Sequence, residues 1–291
     1  MATLRTIRKR ITSVKNTRQI TKAMYMVSAA KLRRAQENAE NGRPYSQALK
    51  STIADLVSRV EDKDHPLLQP RDQIKNVELL LITSDRGLCG GYNANLIRMA
   101  ENFIKENTGK YEKIEVSVLG RKAQDYYKRR RRPVRKATTN LLRTVGFSLA
   151  SQIADELTER YVSGEVDAVF VVYSTFKSAL NQKPTIVQLL PFQLEETDDK
   201  KAATMVDYIY EPSAKEILAV LLSRQVRTQI YSAMLEAVAS ELGARMTAMD
   251  SATSNASDMI DRLTLQFNRA RQAAITKELM EIIGGAEALK G

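Results

Sequence analysis

The sequence predicts two long terminal helices, paired as an antiparallel two-helix coiled coil, with an open, mostly parallel α/β domain inserted between them. Three observations predict this. Neither Gly nor Pro occurs from Met1 to Asn41. No Pro follows Pro212, and from Ser213 to Leu289 only Gly243, Gly284 and Gly285 weaken a helix. The middle holds continuous Val/Ile/Leu runs of strand length. The expected divisions are residues 1–60, 74–212 and 213–291.

In the first helix Leu4, Ile7, Ile11 and Val14 recur at gaps of 3, 4 and 3, the rhythm of a coiled-coil seam. Arg18 and Thr21 then interrupt the apolar pattern, and it is expected to resume with Met24, Val27 and Lys31. Gly42 and Pro44 predict a kink or short break, after which Tyr45, Leu49, Ile53, Leu56 and Val60 continue a helical stripe. The acidic stretch Glu61 to Asp64, followed by Pro66, ends it.

In the middle, VELLLIT (Val77 to Thr83) and VDAVFVVY (Val166 to Tyr173) read as strands buried on both faces. Ile114 to Leu119 gives a third strand and Thr185 to Leu190 a fourth. Residues 94–107, 121–132 and 145–162 read as helices, and this alternation implies a small parallel sheet covered by helices.

The last segment of about 76 residues, at ~1.5 Å each, would be roughly 110 Å long as one helix. Leu242, Met246, Met249, Ala252, Ala256, Ile260, Leu263, Phe267, Ala270 and Ala274 form a narrow seam along it. So narrow a stripe needs a partner helix, and the N-terminal helix offers one. Packing both helices as ordinary layers on the sheet domain is the alternative.

A shared base leaves roughly 19 residues of the last helix unpaired at its C-terminal end. Read antiparallel, Leu4, Ile7, Ile11 and Val14 match Ala270, Phe267, Leu263 and Ile260 gap for gap, each pair of numbers adding to 274. Beyond the interruption Met24, Val27 and Lys31 would meet Met249, Met246 and Leu242, adding to 273. Arg18 falls opposite Ala256, whose small side chain leaves room for it.

Composition bounds the function. A net charge of +11 asks for an anionic partner, while 43% hydrophobic residues supply a real core. Cys89 and His65 are single representatives of their kinds. No intrachain disulfide and no multi-Cys/His zinc site is therefore expected, and no apolar run approaches the ~20 residues of a membrane span. Residues 1–36 carry ten Lys or Arg and no acid, as transit peptides do. The helical spacing running on past residue 36 argues against that reading. Gly87, Gly90 and Gly91 fit neither GxxxxGK[ST] nor GxGxxG. The glycines therefore read as a tight turn, with an anion site between strand and helix as the other reading. Asp85 and Cys89 read as structural, because no His lies near Cys89. No catalytic residue, cofactor or metal is expected.

Four ordered segments carry a resemblance: RITSVKNTRQITKAMYMVSAAKL (Arg10 to Leu32), SDRGLCGGYN (Ser84 to Asn93), YIYEPS (Tyr208 to Ser213) and NRARQAAITKELMEIIGGAEAL (Asn268 to Leu289). Together they resemble the gamma-subunit family of the rotary ATP synthases. The resemblance implies a rotor shaft inside a ring of three alpha and three beta subunits, whose turning drives the beta subunits through successive nucleotide states. The inserted domain would stand as a foot on the c-ring. A peripheral place on the cytoplasmic side of the cell membrane follows from the resemblance, with no homo-oligomer expected.

The resemblance puts Arg8, Lys9, Lys22, Met24, Arg271, Gln272 and Thr276 against the beta subunits, and Tyr208, Tyr210 and Glu211 against epsilon or the c-ring. From Arg121 to Arg143 ten Lys or Arg stand against Asp125 alone, including Arg129 to Arg132. A solvated helix end and contact with anionic lipid headgroups or acidic loops both explain such a run. A nucleic-acid-binding coiled coil predicts aromatics among the basic residues, and none occurs in residues 1–24. A nucleotide enzyme lacks its phosphate loop.

Overall fold

The computed structural model describes residues 4–59, 65–71, 73–140, 145–193, 211 and 213–288. The elements in chain order are α1 (Leu4–Arg59), β1 (Asn76–Ile82), α2 (Tyr92–Glu106), β2 (Lys113–Leu119), α3 (Arg121–Arg129), β3 (Lys136–Thr138), α4 (Phe147–Val162), β4 (Ala168–Phe176), β5 (Gln182–Leu190) and α5 (Ala214–Ala288). The chain forms two compact units, one of Met1–Ser28 with Met246–Gly291, the other of Ala29–Arg245.

Of the kink or short break expected at Gly42 and Pro44, the break does not occur: α1 is one helix with Pro44 inside it. An interior proline costs ~3 kcal/mol through its lost N–H and its ring clash. Packing on both sides of it offsets this: Ala35, Ala39, Leu49 and Ile53 are all buried. At Gly42 an added Cβ would stand 3.9 Å from the Leu235 side chain, an ordinary van der Waals contact.

In the larger unit a five-stranded sheet has the order β3-β2-β1-β4-β5. β1 pairs in parallel with β2 and β4, and β2 with β3, whereas β5 returns antiparallel to β4. Pro184 is tolerated within β5 because that strand is at the edge, where a missing N–H breaks no ladder on its outer side. β3, three residues long and largely exposed, carries no apolar run and was not anticipated.

Strand residues alternate between two cores. Leu80, Ile82, Val169 and Val171 pack with α4 (Ala150, Ile153, Leu157), with Leu49, Ile53 and Leu56 of α1, and with Leu218, Leu222, Val226 and Ile230 of α5. Leu79, Leu81, Val116, Val118 and Val172 pack against α2 and α3 through Leu96, Ile97, Ala100, Ala123 and Tyr127. Burial of both sheet faces explains why the strands read as unbroken apolar runs.

Glu78 interrupts one of these runs and is fully buried. Ser117 donates to its Oε1 at 2.6 Å, Arg135 reaches the same oxygen at 2.6 Å, and Arg160 pairs with Oε2. Arg135 also holds Glu156 at 2.8 Å and Arg160 holds Glu115 at 2.7 Å. Hydrogen bonding from Lys113, with Arg160 adding to it, keeps the Glu115 carboxyl below the usual range. At Glu156 burial opposes ionisation, yet Lys136 and Arg135 outweigh it and the pKa falls.

Candidate functional site

The smaller unit is a two-helix surface built on heptads. Along residues 4–39 of α1, Leu4, Ile7, Ile11, Val14, Arg18, Thr21, Tyr25, Ser28, Leu32, Ala35 and Ala39 are buried or partly buried and alternate 3 and 4 apart. The expected phase change at Met24, Val27 and Lys31 is therefore corrected. Val27 is 55% exposed and Lys31 is exposed, while Thr21 is 8% and Ser28 3% exposed. The seam keeps its heptad and simply turns polar, a change that hydrophobicity cannot trace. On α5 the matching series is Met246, Met249, Thr253, Ala256, Ile260, Leu263, Phe267, Ala270 and Ala274, in which Thr253 keeps the heptad spacing beside the expected Ala252, both partly buried.

A cross-helix bond ties the two series together. Thr253 Oγ1 lies 2.8 Å from Thr21 Oγ1, and their numbers add to 274. Each hydroxyl also reaches a carbonyl of its own helix, Thr21 that of Arg18 at 3.1 Å and Thr253 that of Met249 at 2.7 Å. A partly buried hydroxyl pair in the seam costs little when satisfied in this way.

Of the seam residues expected from sequence, Ile7 and Ile260 are buried, and Leu4, Ile11, Val14, Leu263, Phe267 and Ala270 are partly buried. Arg8, Lys9, Lys22, Arg271, Gln272 and Thr276 are exposed and Met24 partly so; none of the charged ones makes an ion pair among the described residues. Past Ala270 the helix continues to Ala288 with Ile275, Leu279, Met280, Ile282 and Ile283 each at least half exposed. Tyr208 and Tyr210 lie outside the described residues, and Glu211 is exposed.

The second place to look for chemistry is the crevice at the C-terminal ends of β1 and β4, where the strand order reverses and open α/β sheets bind ligands. Here the chain fills it itself. Arg245 of α5 donates to the carbonyls of Arg86 and Gly87 at 3.3 Å. Tyr92 donates to the Ala237 carbonyl at 3.0 Å, and Ser240 to that of Ser174 at 2.9 Å. A Cβ on Gly243 would lie 3.3 Å from Ala179, so the helix backbone sits against the β4–β5 turn.

The Ser84–Asn93 loop closes on itself, Ser84 N–H donating to Asn93 Oδ1 at 2.9 Å and Tyr92 N–H to the Cys89 carbonyl at 3.2 Å. At the start of α3 the Arg121 N–H donates to Asp85 Oδ1 at 3.0 Å, Lys122 N–H to the Ser84 carbonyl at 3.1 Å, and Ala123 N–H to Thr83 Oγ1 at 3.1 Å. The first N–H donors of α3 are thus taken by the chain's own oxygens. Asp85 Oδ1 also accepts from Asn140 N–H at 3.0 Å, joining the ends of three strands. Cys89 is buried, and that burial pushes its thiol pKa up, which suppresses the nucleophilic thiolate. Among the described residues no cluster of three metal-ligating side chains occurs, and no helix is long and apolar enough to cross a membrane.

A unit of two paired helices and an α/β unit whose strand-end crevice is occupied by helix α5 define the class of fold. A family model described as ATP synthase matches residues 3–289, and the chain belongs to that family, among its gamma chains. It is 53% identical to the ATP synthase gamma chain of Anaeromyxobacter sp. (strain Fw109-5) over 293 residues, covering 100% of both chains. It is 50% identical to that of Trichlorobacter lovleyi, again covering 100% of both. In fold it is similar to a chain of the Euglena gracilis mitochondrial ATP synthase rotor, with a TM-score of 0.66 and 20% identity over 94% of this chain and 98% of the other. A second Euglena gracilis structure, described as OSCP/F1/c-ring, gives 0.69 at 21% identity, over 98% and 94%.

Proposed function

We propose that this chain is the central shaft of a bacterial rotary ATP synthase, transmitting torque between a membrane c-ring and a catalytic ring of alpha and beta subunits. The full-length identity of about half with bacterial gamma chains carries this reading. The chain itself is non-catalytic, a reading supported by a sheet crevice that α5 occupies. Force passes through contacts whose energy varies with rotor angle. Arg8, Lys9, Lys22, Met24, Arg271, Gln272 and Thr276 make them with the beta subunits. The exposed apolar tip from Ile275 to Ile283 needs a partner surface in the assembly, since monomeric proteins seldom leave such a patch bare. Tyr208, Tyr210 and Glu211 meet epsilon or the c-ring on the cytoplasmic side of the membrane, and the Arg129–Arg132 region faces anionic groups there.

Purification of the tagged chain from native membranes tests the reading. Alpha, beta and epsilon subunits should accompany it in fixed ratio, with ATP hydrolysis in the complex and none in the chain alone. Recovery of the chain by itself, or with nucleic acid, would overturn it.

A further inference from the structure

We infer that the groove between α2 and α3 is a docking surface for an acidic segment of a partner protein. It encloses about 740 Å³. Arg98 and Lys105 line one wall from α2, and Lys122 and Arg129 the other from α3, with Ile97 and Tyr126 between them. None of these four cations makes an ion pair among the described residues. The groove's carboxylates do not cancel them. Glu101 is engaged through both oxygens by Arg132 at 2.9 Å, leaving Asp125 alone against these four cations and Arg130.

Geometry selects the partner class. On each helix the two cations are seven residues apart, about 10 Å. Four cations thus stand at the corners of a concave strip, converging from opposite walls. A carboxylate-bearing helix or extended strand fits between them, meeting cations at two-turn intervals or every third residue. A flat bilayer would require cations on a common plane. The structure also reapportions the Arg129–Arg132 run. Arg132 is committed to Glu101, and Arg130 lies 3.9 Å over the Tyr126 ring. Arg131 leaves the helix with φ of 53°, so Arg129 and Arg130 are the members that line the groove.

The test uses the full-length chain and a synthetic Glu-rich helical peptide, its Gln counterpart and phosphatidylglycerol vesicles as probes, and so does not depend on the rotor reading. One variant carries Arg98→Gln, Lys105→Gln and Arg129→Gln. A control with the same charge loss carries Lys31→Gln, Arg34→Gln and Lys183→Gln, all at exposed positions. Unchanged circular dichroism establishes that both fold. The groove variant should bind the Glu peptide on the order of tenfold more weakly and with a reduced salt slope, and the control less than twofold. The Gln peptide should not bind. Equal losses in both variants would make the attraction a property of net charge and overturn the proposal. So would a groove variant that loses vesicle binding while retaining the peptide.

Discussion

The heptad register makes a sharp prediction at the Thr21–Thr253 bond. In a chain with Cys89→Ser, the pair Thr21→Cys and Thr253→Cys should oxidise to a disulfide. The two hydroxyl oxygens already lie 2.8 Å apart, and Cys nearly preserves the shape of Thr. Slipping by one heptad would bring Thr21 opposite Met246 or Ile260 instead, about 10 Å along the axis. That displacement exceeds the ~7 Å separation of alpha carbons that a disulfide tolerates. The bridge would close a loop across 232 positions. The loop-entropy relation puts its stabilisation at about 5 kcal/mol, near the top of the observed range, so oxidation should raise the unfolding midpoint clearly. Non-reducing gel mobility, reversed by dithiothreitol, reads the bond. Thr21→Cys with Met246→Cys or with Ile260→Cys should stay reduced under the same conditions. Faster bridging in either control would refute the register. The reassembled complex should keep its ATP hydrolysis when the bridge is closed, because both helices turn together.

Two further substitutions separate effects within the sheet domain. Glu78→Gln should cost about 3 kcal/mol in urea unfolding, because it removes the buried charge facing Arg135 and Arg160, whereas Lys75→Gln should cost under ~0.5 kcal/mol, since its pair with Glu112 is more than half exposed on both sides. Gly120→Ala should cost about 3 kcal/mol or more, its Cβ lying 2.1 Å from the Thr83 carbonyl at a φ of 105°; Gly109→Ala, at a φ of 94° with nothing within 4 Å, should cost about 1–2 kcal/mol from backbone strain alone.

Much of this architecture was legible from hydrophobic runs. Strands β1 and β4 announce themselves because both faces are buried, and the long terminal helices because Gly and Pro are scarce. What escaped notice is polar and buried. Thr21, Ser28 and Thr253 hold heptad positions that an apolar count passes over, and following position rather than hydrophobicity would have found them. Glu78 is masked inside VELLLIT, its partners arriving from 57 and 82 residues away in sequence. Pro44 misled because local propensity yields to the packing of Ala39 and Leu49 on either side. The groove cations were visible as a basic run. Only the fold distinguishes Arg129 from Arg132, by setting Glu101 beside the latter.

The central claim is that this chain turns as ATP is consumed. Leu180, 80% exposed in the turn between β4 and β5, offers a site for a rigid probe once Cys89 is replaced by Ser. With the chain as Leu180→Cys in a complex whose alpha and beta subunits are fixed to a surface, single-molecule imaging of that probe during ATP hydrolysis should record unidirectional rotation in three steps per turn, one for each beta subunit. Hydrolysis at an undiminished rate with a stationary probe would contradict the account.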